Sequence, residues 1–408
     1  MNTLTSGEHV VVVGAGLSGW RFIEALRREG FDGALTLIGD ERDAPYDRPP
    51  LSKNVLVGKW DLDKATLATA ELLEKANVTL RLGTSASSLD VAGTTVHMDD
   101  GTSVSGSRVV IATGTRARRL AFGADEKVHV IRRLDDIRRL NSDLATLVPD
   151  ATIAIIGGGF IGAETATALH TRGFRPVVLE AASRPLLGVL GEQVSTWLFD
   201  LAKNADIELR VNQQVKDVIE IDAGLRVVFD DETGLDVGAV VEGVGVMTNV
   251  EWLASSGLAI DNGVLVDEHF MAAEGVAAIG DVARFAWLSS TGNERVRIEH
   301  WEVANGHASA LAKHWTTGEE PSEWMVPYFW SDQYGKKIQL LGHPRDSDDV
   351  ARVSGSDEEL KWVALYSRDG VVTGVVTLSN PRGLMLSKPL LETPTSLDEA
   401  LATKPWSA

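Results

Sequence analysis

The sequence predicts an α/β chain: two Rossmann-like dinucleotide-binding domains followed by a C-terminal α+β domain. Three observations carry this expectation. A glycine-rich strand–turn–helix–strand unit starts at His9, a second starts at Ala151, and beyond about residue 326 apolar and polar residues alternate. At 408 residues and 44% hydrophobic content the chain is long enough for two or three domains with cores of their own.

The first unit is "HVVVVGAGLSGWRFIEALRREGFDGALTLIGDE" (9–41). Val10–Val13 is a β-branched run suited to a buried parallel strand. Gly14, Gly16 and Gly19 fill a GxGxxG turn. The first permits the tight turn, the second lets the backbone approach a pyrophosphate, and the third allows close helix–strand packing. Phe22, Ile23 and Leu26 give the following helix an apolar side, Gly30 ends it, and Leu35–Ile38 returns as a strand. Asp40 then stands where a carboxylate reaches ribose hydroxyls.

The second unit, "ATIAIIGGGFIGAETATALHTRGFRPVVLE" (151–180), repeats the plan with Gly157, Gly159, Gly162 and a terminal Glu180. One such turn is a weak signal; two in full βαβ context predict two bound dinucleotides. Asp40 and Glu180 could also be solvated strand ends. If Glu180 does face the ribose, it selects NADH. A 2′-phosphate at ~4 Å would meet like charge costing about 1–4 kcal/mol, with only Arg184 nearby to soften it.

Between the units, "SRVVIATGTRARRL" (107–120) reads as a strand, and "EGVAAIGDVARF" (274–285) as another ending in Gly280-Asp281. A first dinucleotide fold is thus interrupted by a second, then resumed. From about 326, "VARVSGSDEELKWVALYSRDGVVTGVVTLS" alternates around an Asp369-Gly370 turn as antiparallel strands do, and "PRGLMLSKPLLE" is an amphipathic helix candidate.

Composition narrows the chemistry. The net charge of −19 argues against a nucleic-acid or anionic-membrane partner. No apolar run approaches a membrane span, no metal-spacing cluster appears, and "MNTLTSGEHVVVVG" lacks a signal-peptide pattern, so a cytoplasmic protein is expected. The chain contains no cysteine, which excludes a redox disulfide, a thiolate metal site and a Cys nucleophile.

Together "GAGLSG", "PYDRPPLSK", "IATGTRARRL", "IGGGFIGAE", "IGDVARF", "RIEHWEVA" and "YFWSDQY" resemble the FAD-dependent pyridine nucleotide oxidoreductases of glutathione-reductase-like fold. Within them the chain is most similar to the NADH:ferredoxin reductases that feed bacterial oxygenases, of the putidaredoxin-reductase and biphenyl-dioxygenase-reductase type. The resemblance implies FAD on residues 1–115 and 245–325, NADH on 116–244, and a C-terminal domain at 326–408. It implies that Asp281 hydrogen-bonds the ribityl chain and Asp40 the adenosine ribose of FAD. Ser18, Arg48, Lys53, Ala86, Thr113, Arg132, Gly280 and Trp301 fall on cofactor-lining positions. Glu164 matches an acid at the nicotinamide end of NADH, and Trp330 a tryptophan beside the isoalloxazine on the electron exit route.

The implied activity is transfer from NADH to FAD, then of single electrons to an acidic iron–sulfur ferredoxin serving a monooxygenase or dioxygenase. An NADH oxidase or quinone reductase, or an NADH-binding redox sensor resembling apoptosis-inducing factor, remain alternatives. Bland readings stay open for single residues. Lys53 could be a surface lysine rather than a cation stabilising reduced flavin, and Trp330 one more packed tryptophan among eleven. The seven arginines of 115–120 and 131–140 could be a solvated face or a patch guiding a ferredoxin. Two departures from the family pattern stand out: "GVGVMTN" (243–249) lacks its usual Arg and Pro, and His307 replaces a glutamine in "VANGHA" (303–308). His307 is either tolerated variation or a change in flavin potential or oxygen reactivity.

Overall fold

The structure is a computed structural model that describes residues 3–289, 292–321 and 326–407. The boundary expected at 325 lies outside these described residues. The chain forms two compact units. One comprises residues up to Asp47, Thr66–Arg116 and Met247–Phe329; the other comprises Arg48–Ala65, Ala117–Val246 and Trp330 onward.

The first unit is built on a six-stranded sheet, in the order Met271–Ala273, Val276–Ala278, Arg108–Ile111, His9–Val13, Ala34–Gly39, Thr79–Leu82. All pairings are parallel except at the Met271–Ala273 edge. The valine run sits at the sheet's centre because it has no polar face to expose: Val10, Val11 and Val12 have no accessible surface. Helix Leu17–Arg28 buries Trp20, Phe22, Ile23 and Leu26, and Gly30 at φ +89° ends it as expected. Helix Trp301–Thr317 packs beside it, with Phe22 and Trp315 edge to face at 5.5 Å.

The second unit repeats the parallel plan in five strands: Glu208–Arg210, Arg175–Leu179, Thr152–Ile156, Ala239–Glu242, Val128–His129. Its C-terminal part is an antiparallel sheet in which Asp369 (φ 50°) and Gly370 (φ 76°) turn Lys361–Arg368 into Val371–Leu378. Positive φ at both central positions matches the right-handed twist of the strands. The expected amphipathic helix is instead two short ones, Pro381–Ser387 and Pro389–Glu392. Pro389 has no N–H to continue the first.

In the proline-rich segment, Pro50 has φ −65° and ψ −21° and leads into a π-helical turn, Leu51–Val55. A proline's fixed φ suits the first turn of a helix as well as an extended strand. Lys53 alone leaves helical geometry within that turn, at φ −121° and ψ −111°. Among the described residues, no helix is long and apolar enough to cross a membrane.

Candidate functional site

Each glycine turn has the same division of labour. A Cβ on Gly14, which sits at φ +118°, would lie 2.1 Å from the Ala112 carbonyl oxygen, and one on Gly19 would lie 2.0 Å from that of Gly14. A Cβ on Gly16 would meet nothing within 4 Å. In the second unit the distances are 2.5 Å from Gly157 to the Gly243 oxygen and 2.0 Å from Gly162 to the Gly157 oxygen. Gly159 has no neighbour closer than 4.0 Å. First and third glycines are therefore required by the protein's own backbone, whereas the middle one faces open space. A strand, a tight turn and a helix start with one bare, open backbone position is the cradle a pyrophosphate fits. Gly159→Ala is accordingly expected to leave the melting temperature unchanged while weakening binding of a dinucleotide at this turn roughly ten-fold, about 1.4 kcal/mol. Calorimetry and a binding titration check the two halves separately.

In the first unit, Asp40 follows strand Ala34–Gly39 and is exposed, and Ala86 opens strand Ala86–Asp90 beside the main core. Ser18 lies in the first turn of helix Leu17–Arg28. Its hydroxyl is where a Cβ on Gly280 (φ +72°) would have to go, at 2.1 Å. Asp281 comes next, with Thr115 Oγ1 at 3.4 Å and Arg297 donating to its carbonyl. Thr113 and Asn249 are cross-linked in both directions: Thr113 Oγ1 donates to the Asn249 carbonyl and Asn249 Nδ2 to that of Thr113, each at 2.8 Å. The "GVGVMTN" segment thus keeps the residue that ties it to the strand end, while Met247, in its altered middle, is exposed. Trp301 donates its indole N–H to Asp47 at 2.8 Å.

In the second unit the structure brings Lys53, Glu164 and the strand carrying Trp330 together. Glu164, on helix Phe160–Thr171, is only 3% exposed, yet its carboxylate accepts from Lys53 Nζ (2.7 Å), Ser52 Oγ (2.6 Å), Ser331 Oγ and the Asp332 N–H (3.3 Å). Two chain segments distant in sequence, 52–53 and 331–332, converge on one buried carboxylate, which is how a buried charge is made tolerable. The ammonium of Lys53 is therefore ion-paired rather than a lone positive charge. Arg48 donates to the Arg132 carbonyl at 2.6 Å, placing those two residues together. Trp330 is partly buried on strand Tyr328–Gln333. Glu180 holds the second glycine turn: its oxygens accept from the N–H groups of Gly158 (2.7 Å) and Ala182 (2.8 Å).

The pyridine nucleotide-disulphide oxidoreductase profile matches residues 8–308, about three quarters of the chain, and a reductase C-terminal profile matches 328–407. The chain belongs to the pyridine nucleotide-disulphide oxidoreductase family. It is 32% identical to rhodocoxin reductase of Rhodococcus erythropolis over 390 residues, 94% of this chain and 89% of that one. It is 31% identical to the ferredoxin reductase component of chlorobenzene dioxygenase from Cupriavidus sp. (strain PS12), covering 96% and 94%. Among solved structures, the covalent putidaredoxin reductase–putidaredoxin complex superposes with a TM-score of 0.89 at 29% identity, over 95% of this chain and 93% of that one. The expected fold class, two Rossmann-like domains with a C-terminal domain, holds. This member of a disulphide oxidoreductase family has no cysteine with which to exchange a disulfide.

Sequence reasoning missed the residues that hold the others. Asp47, Ser52 and Ser331 lie inside the motifs "PYDRPPLSK" and "YFWSDQY", and that membership was the only signal pointing to them. The arginine cluster is also more occupied than it reads. Arg116 pairs with Glu251, Arg119 with Asp125 and Glu242, Arg138 with Asp135, and Arg139 bonds the Glu126 carbonyl.

Proposed function

We propose that this chain is a cytoplasmic NADH:ferredoxin oxidoreductase, with FAD on residues 1–115 and 245–325, NADH on 116–244, and a C-terminal domain at 326–408. The observation that carries the reading is the pair of cradles, each with one glycine facing open space, in a chain that holds no cysteine. The kinship with ferredoxin reductase components supports the choice of acceptor. FAD, when bound, takes a hydride from NADH and can give up electrons one at a time, which a nicotinamide cannot.

The chain's own residues bind and orient. Asp40 and Asp281 hold the ribose and ribityl hydroxyls of FAD, and the turn of Gly14, Gly16 and Gly19 takes its pyrophosphate. Ser18, Ala86, Thr113, Arg132 and Trp301 line that cofactor. The turn of Gly157, Gly159 and Gly162 takes the pyrophosphate of NADH, and Glu180 selects it over NADPH. Glu164 positions the nicotinamide end. Lys53 and Arg48 supply positive charge on the flavin side, that of Lys53 balanced by Glu164. Trp330 stands where electrons leave for the iron–sulfur protein, which serves an oxygenase.

Anaerobic stopped-flow tests this. NADH should bleach the flavin in one rapid phase, and mixing with a ferredoxin should reoxidise it in single-electron steps. Reoxidation by dioxygen as fast as by any ferredoxin would make the protein an oxidase. A persistent charge-transfer band with negligible acceptor turnover would make it a sensor. If the arginine cluster steers an acidic ferredoxin, turnover falls as salt is raised; salt-independent turnover assigns those arginines to the internal pairs described above.

A further inference from the structure

His307, where the helix sequence departs from the family pattern, has a defined partner. It lies on helix Trp301–Thr317, has no accessible surface, and its Nδ1 accepts the backbone N–H of Gly280 at 3.3 Å. Phe270 and Phe285 enclose the ring at centroid distances of 4.6 and 4.4 Å, the latter edge to face at 86°. A neutral imidazole that accepts at Nδ1 carries its proton on Nε2, and Nε2 is buried with no hydrogen-bond partner. Burial lowers the pKa to about 3, so the ring is neutral at physiological pH and its acceptor is always available.

The turn it touches has little freedom. Gly280 is in the left-handed region at φ +72°, and the Ser18 hydroxyl occupies the space a side chain would need. Ser18 therefore packs the turn from the first glycine helix, and His307 holds its N–H from the helix that begins at Trp301. Asp281 is the next residue. A shift in the peptide plane of Gly280 would re-aim its carboxylate.

We propose that His307 is a positioning residue for the flavin site: as a neutral, Nε2-protonated imidazole it fixes the Gly280–Asp281 turn, and thereby the carboxylate that binds FAD. The inference rests on the reading of the first unit as the FAD site. It separates His307 from an inert replacement of glutamine, because only a side chain with an acceptor at that point can take the Gly280 N–H. Leucine cannot, and would leave a buried donor unsatisfied.

The test uses the full chain in wild-type, His307→Leu and His307→Gln forms. FAD affinity is measured by titrating the stripped protein, and hydrogen exchange is followed at the Gly280 amide without cofactor. His307→Leu is expected to bind FAD roughly ten-fold more weakly and to lose protection at Gly280. His307→Gln should stay within about three-fold of wild type and keep that protection, because its amide oxygen restores the acceptor. The rescue separates positioning from loss of core packing, which both substitutions disturb. Equal affinity in wild type and His307→Leu would overturn the role of His307 while leaving the cofactor reading intact. So would equal losses in Leu and Gln. Failure of the wild-type chain itself to take up FAD would overturn both. If His307→Leu does not fold, His307→Phe measured against His307→Gln gives the same contrast.

Discussion

Replacing Lys53 with methionine is expected to leave FAD bound, to slow its reduction by NADH, and to destabilise the second unit. The structural reason is the state in which the substitution leaves Glu164. The Glu164 side chain is 3% exposed and pairs with a lysine whose side chain is itself only 18% exposed. Breaking a buried pair from one side costs about 3–5 kcal/mol; here Ser52, Ser331 and the Asp332 N–H still donate, so about 2–3 kcal/mol is expected. If Glu164 orients the nicotinamide end as proposed, misplacing it should slow reduction roughly ten- to hundred-fold. Glu164→Gln should cost less stability than Lys53→Met, because the freed ammonium lies nearer solvent than the freed carboxylate. The double substitution Lys53→Met with Glu164→Gln should be more stable than Lys53→Met alone, since no buried charge is left behind. Denaturant unfolding of the four proteins gives the coupling energy, and stopped-flow reduction gives the rates. Additive stability losses would mean that the two residues do not act as a pair, and an unchanged reduction rate would leave Lys53 a structural partner of Glu164 with no part in the reduction.

That pairing shows where legibility in the sequence ends. The glycine turns could be read because their spacing encodes local sterics: Gly14 and Gly19 are glycine for the sake of carbonyl oxygens that any such turn brings close. Asp369-Gly370 could be read for the same reason, since both residues sit at positive φ in a two-residue hairpin turn. Lys53, Glu164 and Ser331 are more than a hundred residues apart in sequence, and no local rule links them. Resemblance assigned Lys53 and Glu164 separately to a cofactor; the fold joins them to each other. His307 read only as a departure, because its partner is a backbone N–H contributed by a distant turn.

Replacing Glu180 with glutamine is expected to lower the preference for NADH over NADPH roughly ten- to hundred-fold, for reasons that lie in how the carboxylate is held. Both of its oxygens accept backbone N–H groups, from Gly158 at 2.7 Å and Ala182 at 2.8 Å, so the side chain cannot swing away from an incoming 2′-phosphate. In the proposed function its charge is held at the place where NADPH differs from NADH. The like-charge cost of about 1–4 kcal/mol at ~4 Å is then a property of the fold rather than of a mobile rotamer. Glutamine keeps one acceptor and removes the charge, so NADH should lose some kcat/KM while NADPH gains. Arg184 is positioned to take part in that gain. Among the described residues it makes an ion-pair contact with Glu192 at 3.8 Å, where the side chains are 33% and 79% exposed, a surface contact of about 0–1 kcal/mol that a phosphate can outcompete. Adding Arg184→Ala to Glu180→Gln should therefore remove part of the NADPH gain and leave the NADH rate where the single substitution put it. The ratio of kcat/KM for the two cofactors, measured in wild type, the single and the double variant, decides the matter. A parallel fall for NADH and NADPH in Glu180→Gln would show that the carboxylate only holds the turn, and that the discrimination between the two cofactors is made elsewhere.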